Sequence, residues 1–176
     1  MSTQLPDAEE LLKKLAASLQ PLITEKTALV GIHSGGAWLM ERLLPMLGKN
    51  LAYGILDVSF YRDDYSQRGL HSETVPSEIP FDVTDCHIIL IDDVFYTGRT
   101  IRAAMNELFD YGRPERIDLA VLVDRGGREL PIAAQFCGAR LEVPAGRVLL
   151  LERDAGGALA LQLSARRRKR APAAKS

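Results

Sequence analysis

Residues 88–91 read Ile-Ile-Leu-Ile, and Asp92 and Asp93 follow at once. Four adjacent aliphatics bounded by polar residues predict a strand buried on both faces, the kind found in parallel sheets. The two carboxylates are expected to end that strand. Val94, Phe95, Tyr96, Thr97, Gly98, Arg99 and Thr100 form a hydroxyl- and glycine-rich turn, and a helical pattern opens at Ile101. Free N–H groups at a helix N-terminus attract phosphate, helped by the positive end of the helix dipole. Thr97 and Thr100 add hydroxyl donors, and Gly98 lets backbone approach a ligand closely. Asp92 and Asp93 would repel phosphate, so they are expected to serve ribose hydroxyls, a Mg²⁺ ion, or both.

The rest of the chain repeats that grammar. Asp7 is placed to cap a helix, with Glu10 three residues on, and Leu11, Leu12, Leu15, Ala16 and Leu19 recur at helical spacing. Residues 28–32 form a second apolar run, which passes into His33-Ser34-Gly35-Gly36 and a helix ending near Gly48. This is another strand, glycine turn and helix start, and another candidate anion site. Residues 51–60 predict a further strand. Residues 66–80 are polar and proline-punctuated, a length that in a small domain marks a functional or disordered loop. The helix over 101–111 stops at Gly112 with Pro114 beyond it. Residues 117–123 predict a third buried strand, ending in Asp124-Arg125-Gly126-Gly127-Arg128. Strands alternating with helices give an α/β fold with a parallel sheet, and ligands sit at the carboxyl ends of its strands. Residues 147–152 and 158–163 predict two last strands joined by a glycine turn.

Taken together, these residues identify a resemblance to the type I phosphoribosyltransferases, whose phosphoribosyl-pyrophosphate (PRPP) signature is an apolar strand, two acids and Thr-Gly-x-Thr. The match narrows to the bifunctional pyrimidine-operon regulator and uracil phosphoribosyltransferase (PyrR-type) family. Residues 92–103, Tyr111-Gly112-Arg113-Pro114, 119–125 with Arg128-Glu129-Leu130-Pro131, Tyr61-Arg62-Asp63-Asp64 and 79–85 all resemble it, covering about 29–148. The resemblance implies a central parallel sheet flanked by helices, with a small hood region and a long flexible loop that closes over PRPP. It implies transfer of a ribosyl phosphate from PRPP to uracil, with Mg²⁺, giving UMP and pyrophosphate. Asp92 and Asp93 would act at the ribose, and Val94 to Thr100 at the 5′-phosphate. Ser34, Gly35, Gly36 and Arg62 would hold pyrophosphate, with Arg68 a further loop candidate. Val123, Asp124, Arg125 and Val148 would take the uracil. No metal site built from protein groups alone is expected. UMP or UTP, a pyrimidine-operon leader RNA, and a second copy in a homodimer or higher homo-oligomer are the further partners implied. Two departures stand out. Relatives tend to carry Lys-Thr-Arg-Gly where this chain has His33-Ser34-Gly35-Gly36, and often histidine where it has Gly127.

Other readings of the same signature remain open. The chain would be an RNA-binding attenuator with little enzyme activity, or a phosphoribosyltransferase for another base, since one fold hosts many substrates. The formal net charge of −1 gives no general argument for nucleic acid or membrane. The cations Arg166-Arg167-Arg168-Lys169-Arg170 break this pattern and predict a basic, disordered tail over 165–176, after a single domain over 1–164. Two cysteines make no disulfide framework, and no apolar run approaches membrane-spanning length, so a cytoplasmic protein is expected.

Overall fold

A computed structural model of the chain describes residues 5–48, 50–59 and 76–165. Helix α1 (Ala8–Leu19) leads through a short 3₁₀ turn into strand β1 (Thr27–Ile32) and helix α2 (Gly35–Leu47). Strand β2 (Ala52–Leu56), strand β3 (His87–Phe95), helix α3 (Arg99–Tyr111), strand β4 (Arg116–Asp124) and strand β5 (Phe136–Arg140) follow. Strands β6 (Arg147–Arg153) and β7 (Leu159–Ala165) close the chain. Helix α1 starts where its cap predicts, with Asp7 Oδ1 accepting from Glu10 N at 3.0 Å. Glu10 does not return the bond. It pairs with Lys13 instead, at 2.7 Å.

Strands β1 to β5 form one parallel sheet in the order β2-β1-β3-β4-β5. Every residue of β1 is buried, as a strand covered on both faces requires. Its side chains alternate between two cores. Leu29 joins Ile89, Ile91, Ala120 and Leu122 under α1 and α2. Ala28, Val30 and Ile32 join Ile88, Leu90, Leu119 and Val121 under α3, where Ile101, Ala104 and Leu108 cover them. Leu11, Leu12, Leu15, Ala16 and Leu19 all lie in the first core, so the helical spacing identified the buried face of α1.

Several boundaries differ from the sequence reading, and β7 runs through Ala165, the first residue assigned to the tail. Strand β3 continues through Phe95, so Asp92 and Asp93 lie inside it and do not end it. Continued pairing with β4, Asp92 opposite Val121 and Val94 opposite Val123, holds those residues extended. Helix α3 begins at Arg99, two residues before the apolar pattern, because Gly98 at φ 97° caps it. Strand β2 is shorter than 51–60, and β5 had no strand signal of its own. Its five residues, Phe-Cys-Gly-Ala-Arg, neither alternate clearly nor form an aliphatic run. The last two strands form an antiparallel pair outside the main sheet, as the glycine turn between them predicts. The pair sits on the α1–α2 core through Leu149, Leu151 and Leu159. Most of the 66–80 loop, with Arg62, Arg68 and the basic run, lies outside the described residues.

Candidate active site

In a sheet ordered β2-β1-β3-β4-β5 the chain reverses its direction of travel between β1 and β3. A crevice opens at the carboxyl ends of strands beside such a switch point, and ligands bind there. The turn after β1 and the acids of β3 flank it. Gly36 packs against the backbone of β3 so tightly that a Cβ there would overlap Ile91 O. Gly35 packs against Asp93, and a Cβ there would overlap its carboxylate. Thus Ser34, Gly35 and Gly36 open α2 directly beside Asp93, and the His33–Ser34 peptide is cis.

Asp92 and Asp93 are 2% and 1% exposed. Being adjacent in a strand, they point to opposite faces of the sheet, with Asp93 on the α2 side. Asp92 Oδ1 accepts from Asp93 N at 3.0 Å. Two carboxylates in so dry a place are costly unless charge or hydrogen bonds compensate, which fits groups kept for chemistry.

Phe95 ends β3, and Tyr96, Thr97 and Gly98 form the turn that enters α3. Thr97 is 3% exposed, and its Oγ1 accepts from Arg99 N at 3.2 Å. Gly98 takes the left-handed conformation that glycine favours, and Thr100 falls in the first helical turn. Arg99 pairs with Glu129 at 2.7 Å on the exposed surface, so its charge is drawn to the neighbouring loop.

That loop follows β4 and is stitched to the β3 turn. Arg125 N donates to Phe95 O at 3.0 Å, and Glu129 N and Leu130 N donate to Thr97 O at 3.0 and 3.2 Å. The Arg125 guanidinium lies 4.2 Å from the Tyr96 ring centroid, and that of Arg128 lies 3.4 Å from the Phe95 ring. Asp124 through Arg128, with Arg140, Leu141 and Glu142 at the end of β5, line a cleft of about 490 Å³.

Of the residues named for a base, Asp124 and Arg125 therefore line a cleft beside the turn that enters α3. Val123 is fully buried in the α1–α2 core. Val148 is half-buried on the separate β6–β7 pair, opposite Ser164, and is not among the described residues lining the cleft. Arg128, Arg140, Leu141 and Glu142 line the same cleft and were not named from the sequence. The first carried a signal in the Gly-Gly-Arg turn. The others depended on seeing β5, whose carboxyl end presents them.

Among the described residues no group of three or more His, Cys, Asp or Glu side chains is placed to hold a metal ion. The donor set, an adjacent acid pair beside a glycine turn at a helix N-terminus, fits a Mg²⁺ that arrives on its substrate's oxygens, since Mg²⁺ commonly takes one or two carboxylates plus phosphates.

Known proteins match the chain in sequence and in fold. The model of the phosphoribosyl transferase domain family matches residues 2–140. The protein named bifunctional protein PyrR from Ralstonia nicotianae is 48% identical over 164 residues, covering 91% of this chain and 94% of that relative. The protein of that name from Nitrosococcus oceani is 49% identical over 141 residues, covering 77% and 80% of the two chains. Among solved structures, a hypoxanthine phosphoribosyltransferase from Staphylococcus aureus superposes with a TM-score of 0.63 at 20% identity, covering 81% of this chain and 78% of the other. A hypoxanthine-guanine phosphoribosyltransferase from Bacillus anthracis gives 0.63 at 16%, covering 80% and 85%. At those identities the two structures speak for the fold alone.

Proposed function

Because the chain belongs to the phosphoribosyl transferase family, together with the proteins named bifunctional PyrR, we propose that it transfers the ribosyl phosphate of PRPP to uracil, releasing pyrophosphate and forming UMP. The observation that supports this reading is the buried acid pair of β3, with the glycine turn of α2 packed against Asp93 and the β4 loop hydrogen-bonded to the turn that enters α3. The 5′-phosphate takes the backbone and hydroxyls of Thr97, Gly98 and Thr100 at the start of α3. Asp92 and Asp93 receive the ribose hydroxyls and offset positive charge as it builds at the anomeric carbon. Ser34, Gly35 and Gly36 hold the pyrophosphate by backbone, in a turn that carries no arginine. A Mg²⁺ arriving with PRPP would supply positive charge to the leaving pyrophosphate beside Asp92, Asp93 and the turn of Ser34 to Gly36. Asp124 and Arg125 meet the edge of the base in the cleft beside the turn. The unit concerned is 1–164, in the cytoplasm.

A second role, binding of a pyrimidine-gene leader RNA by a homo-oligomer in response to UMP or UTP, rests on the PyrR relatives. Enzyme assay with PRPP and Mg²⁺ tests the first reading: UMP should form from uracil, with no nucleotide from hypoxanthine or guanine. A purine nucleotide as the product would replace uracil with a purine base. Filter binding tests the second reading. Leader RNA should be retained better than a scrambled hairpin, and UMP should tighten it by linkage. Equal retention of both would remove the RNA role.

A further inference from the structure

We infer that Arg128 is a positioning residue for the base cleft and that it acts through Asp124. The inference rests on the base-site reading above. Arginines on exposed glycine turns ordinarily extend into water, and Gly126 and Gly127 are both left-handed, at φ 71° and 75°. Arg128 instead folds back over the loop, with its side chain 25% exposed. Three contacts hold it. Its planar face stacks on Phe95, Nη1 donates to Tyr96 O, and Nη2 donates to Asp124 Oδ1. A guanidinium makes all three at once because its face and its two amino groups are separate surfaces, which an ammonium lacks.

The consequence falls on Asp124. Its Oδ1 also accepts from Gly126 N at 2.9 Å, so that oxygen is fixed from two directions. Its backbone is fixed as well, with Leu141 N donating to Asp124 O at 3.0 Å. Asp124 is thus a rigid acceptor on the cleft wall, and Oδ2 is the atom suited to an N–H of a pyrimidine-dione. Without Arg128, one amide bond would hold the carboxylate, and the acceptor would lose its direction.

The test is steady-state kinetics on the full chain, varying uracil and PRPP separately. Arg128→Gln and Asp124→Asn should each raise KM for uracil by about tenfold, with KM for PRPP within about twofold of wild type. The double variant should be no worse than the worse single, because residues acting through one pair are not additive. Arg128→Lys should fail to rescue uracil binding, and all variants should melt within a few degrees of wild type. Parallel rises in both KM values, multiplicative effects in the double variant, or rescue by lysine would overturn the proposal. Hydrogen exchange at the Gly126 amide needs no substrate. It should quicken by about tenfold in Arg128→Gln, and an unchanged rate would overturn the proposal whatever the enzyme does. A wild-type protein that makes no UMP would overturn the uracil reading alone, leaving exchange to decide the role of Arg128.

Discussion

Gly35 lies against the carboxylate of Asp93 with no room between them for a methyl group. One residue of the α2 turn and one of β3 therefore share a single space at the switch point. Gly35→Ala should push the Asp93 side chain aside and lower turnover by roughly tenfold or more, as expected when an electrostatic group leaves its place. Gly35→Arg should not raise activity either, because its Cβ meets the same obstacle. Rates measured with PRPP and uracil check both, and an active Gly35→Arg would show that Asp93 moves freely.

The acid pair itself is the second target. Asp92→Asn with Asp93→Asn keeps the shape of both side chains and removes both charges. UMP synthesis should fall by on the order of a hundredfold or more, while circular dichroism stays that of the folded protein. Near wild-type turnover in a folded double variant would remove the acids from the chemistry.

Gly127 predicts a cost to stability. At φ 75°, with a Cβ that would overlap the Tyr96 ring, the position is built for glycine. Gly127→His should destabilise by about 1–3 kcal/mol, as a side chain held in a sparsely populated conformation does. It should also loosen the stack of Arg125 on Tyr96. Urea unfolding of the two proteins checks the first effect.

Glu9 links the two ends of the chain. It accepts from Arg42 at 2.6 and 2.9 Å and from Leu159 N at 3.0 Å. The Arg42 guanidinium, then the Leu159 amide, hold its carboxyl below the usual glutamate value. A carboxyl lowered on folding adds stability above its unfolded pKa and loses it as the pH falls through its folded one. Glu9→Gln should therefore lower stability at neutral pH, by about 1 kcal/mol at most for so solvent-screened a pair. The gap from wild type should close in acid. Denaturation midpoints across the acid limb measure it.

Much of this fold was legible because its signals are local. The aliphatic runs over 28–32, 88–91 and 117–123 fixed three strands, Asp7 fixed a helix start, and Gly112 fixed a helix stop. The acid pair and the Thr-Gly turn were readable for the same reason. What escaped depends on contacts distant in sequence. Strand β5 exists because Cys137 and Ala139 pair with Val121 and Val123, and nothing in its own five residues demands it. The inward fold of Arg128 depends on Phe95, thirty-three positions earlier. Val148 was assigned to the base through resemblance, and its place on the β6–β7 pair needed the tertiary structure.

The bond from Leu159 N to Glu9 spans 150 positions, and Leu149, Leu151 and Leu159 share a core with α1. A ribosome releases α1 long before those leucines exist. Until they emerge, part of the apolar stripe of α1 lacks its cover, and closing so wide a loop comes late in folding because its entropy must be lost first. Nascent chains ending before residue 147 should therefore hold α1 loosely and attract holdase chaperones, while chains whose residues up to 165 have left the ribosome should not. Acquisition of the native fold during synthesis is thus timed by the last strand pair, far from the residues that meet substrate.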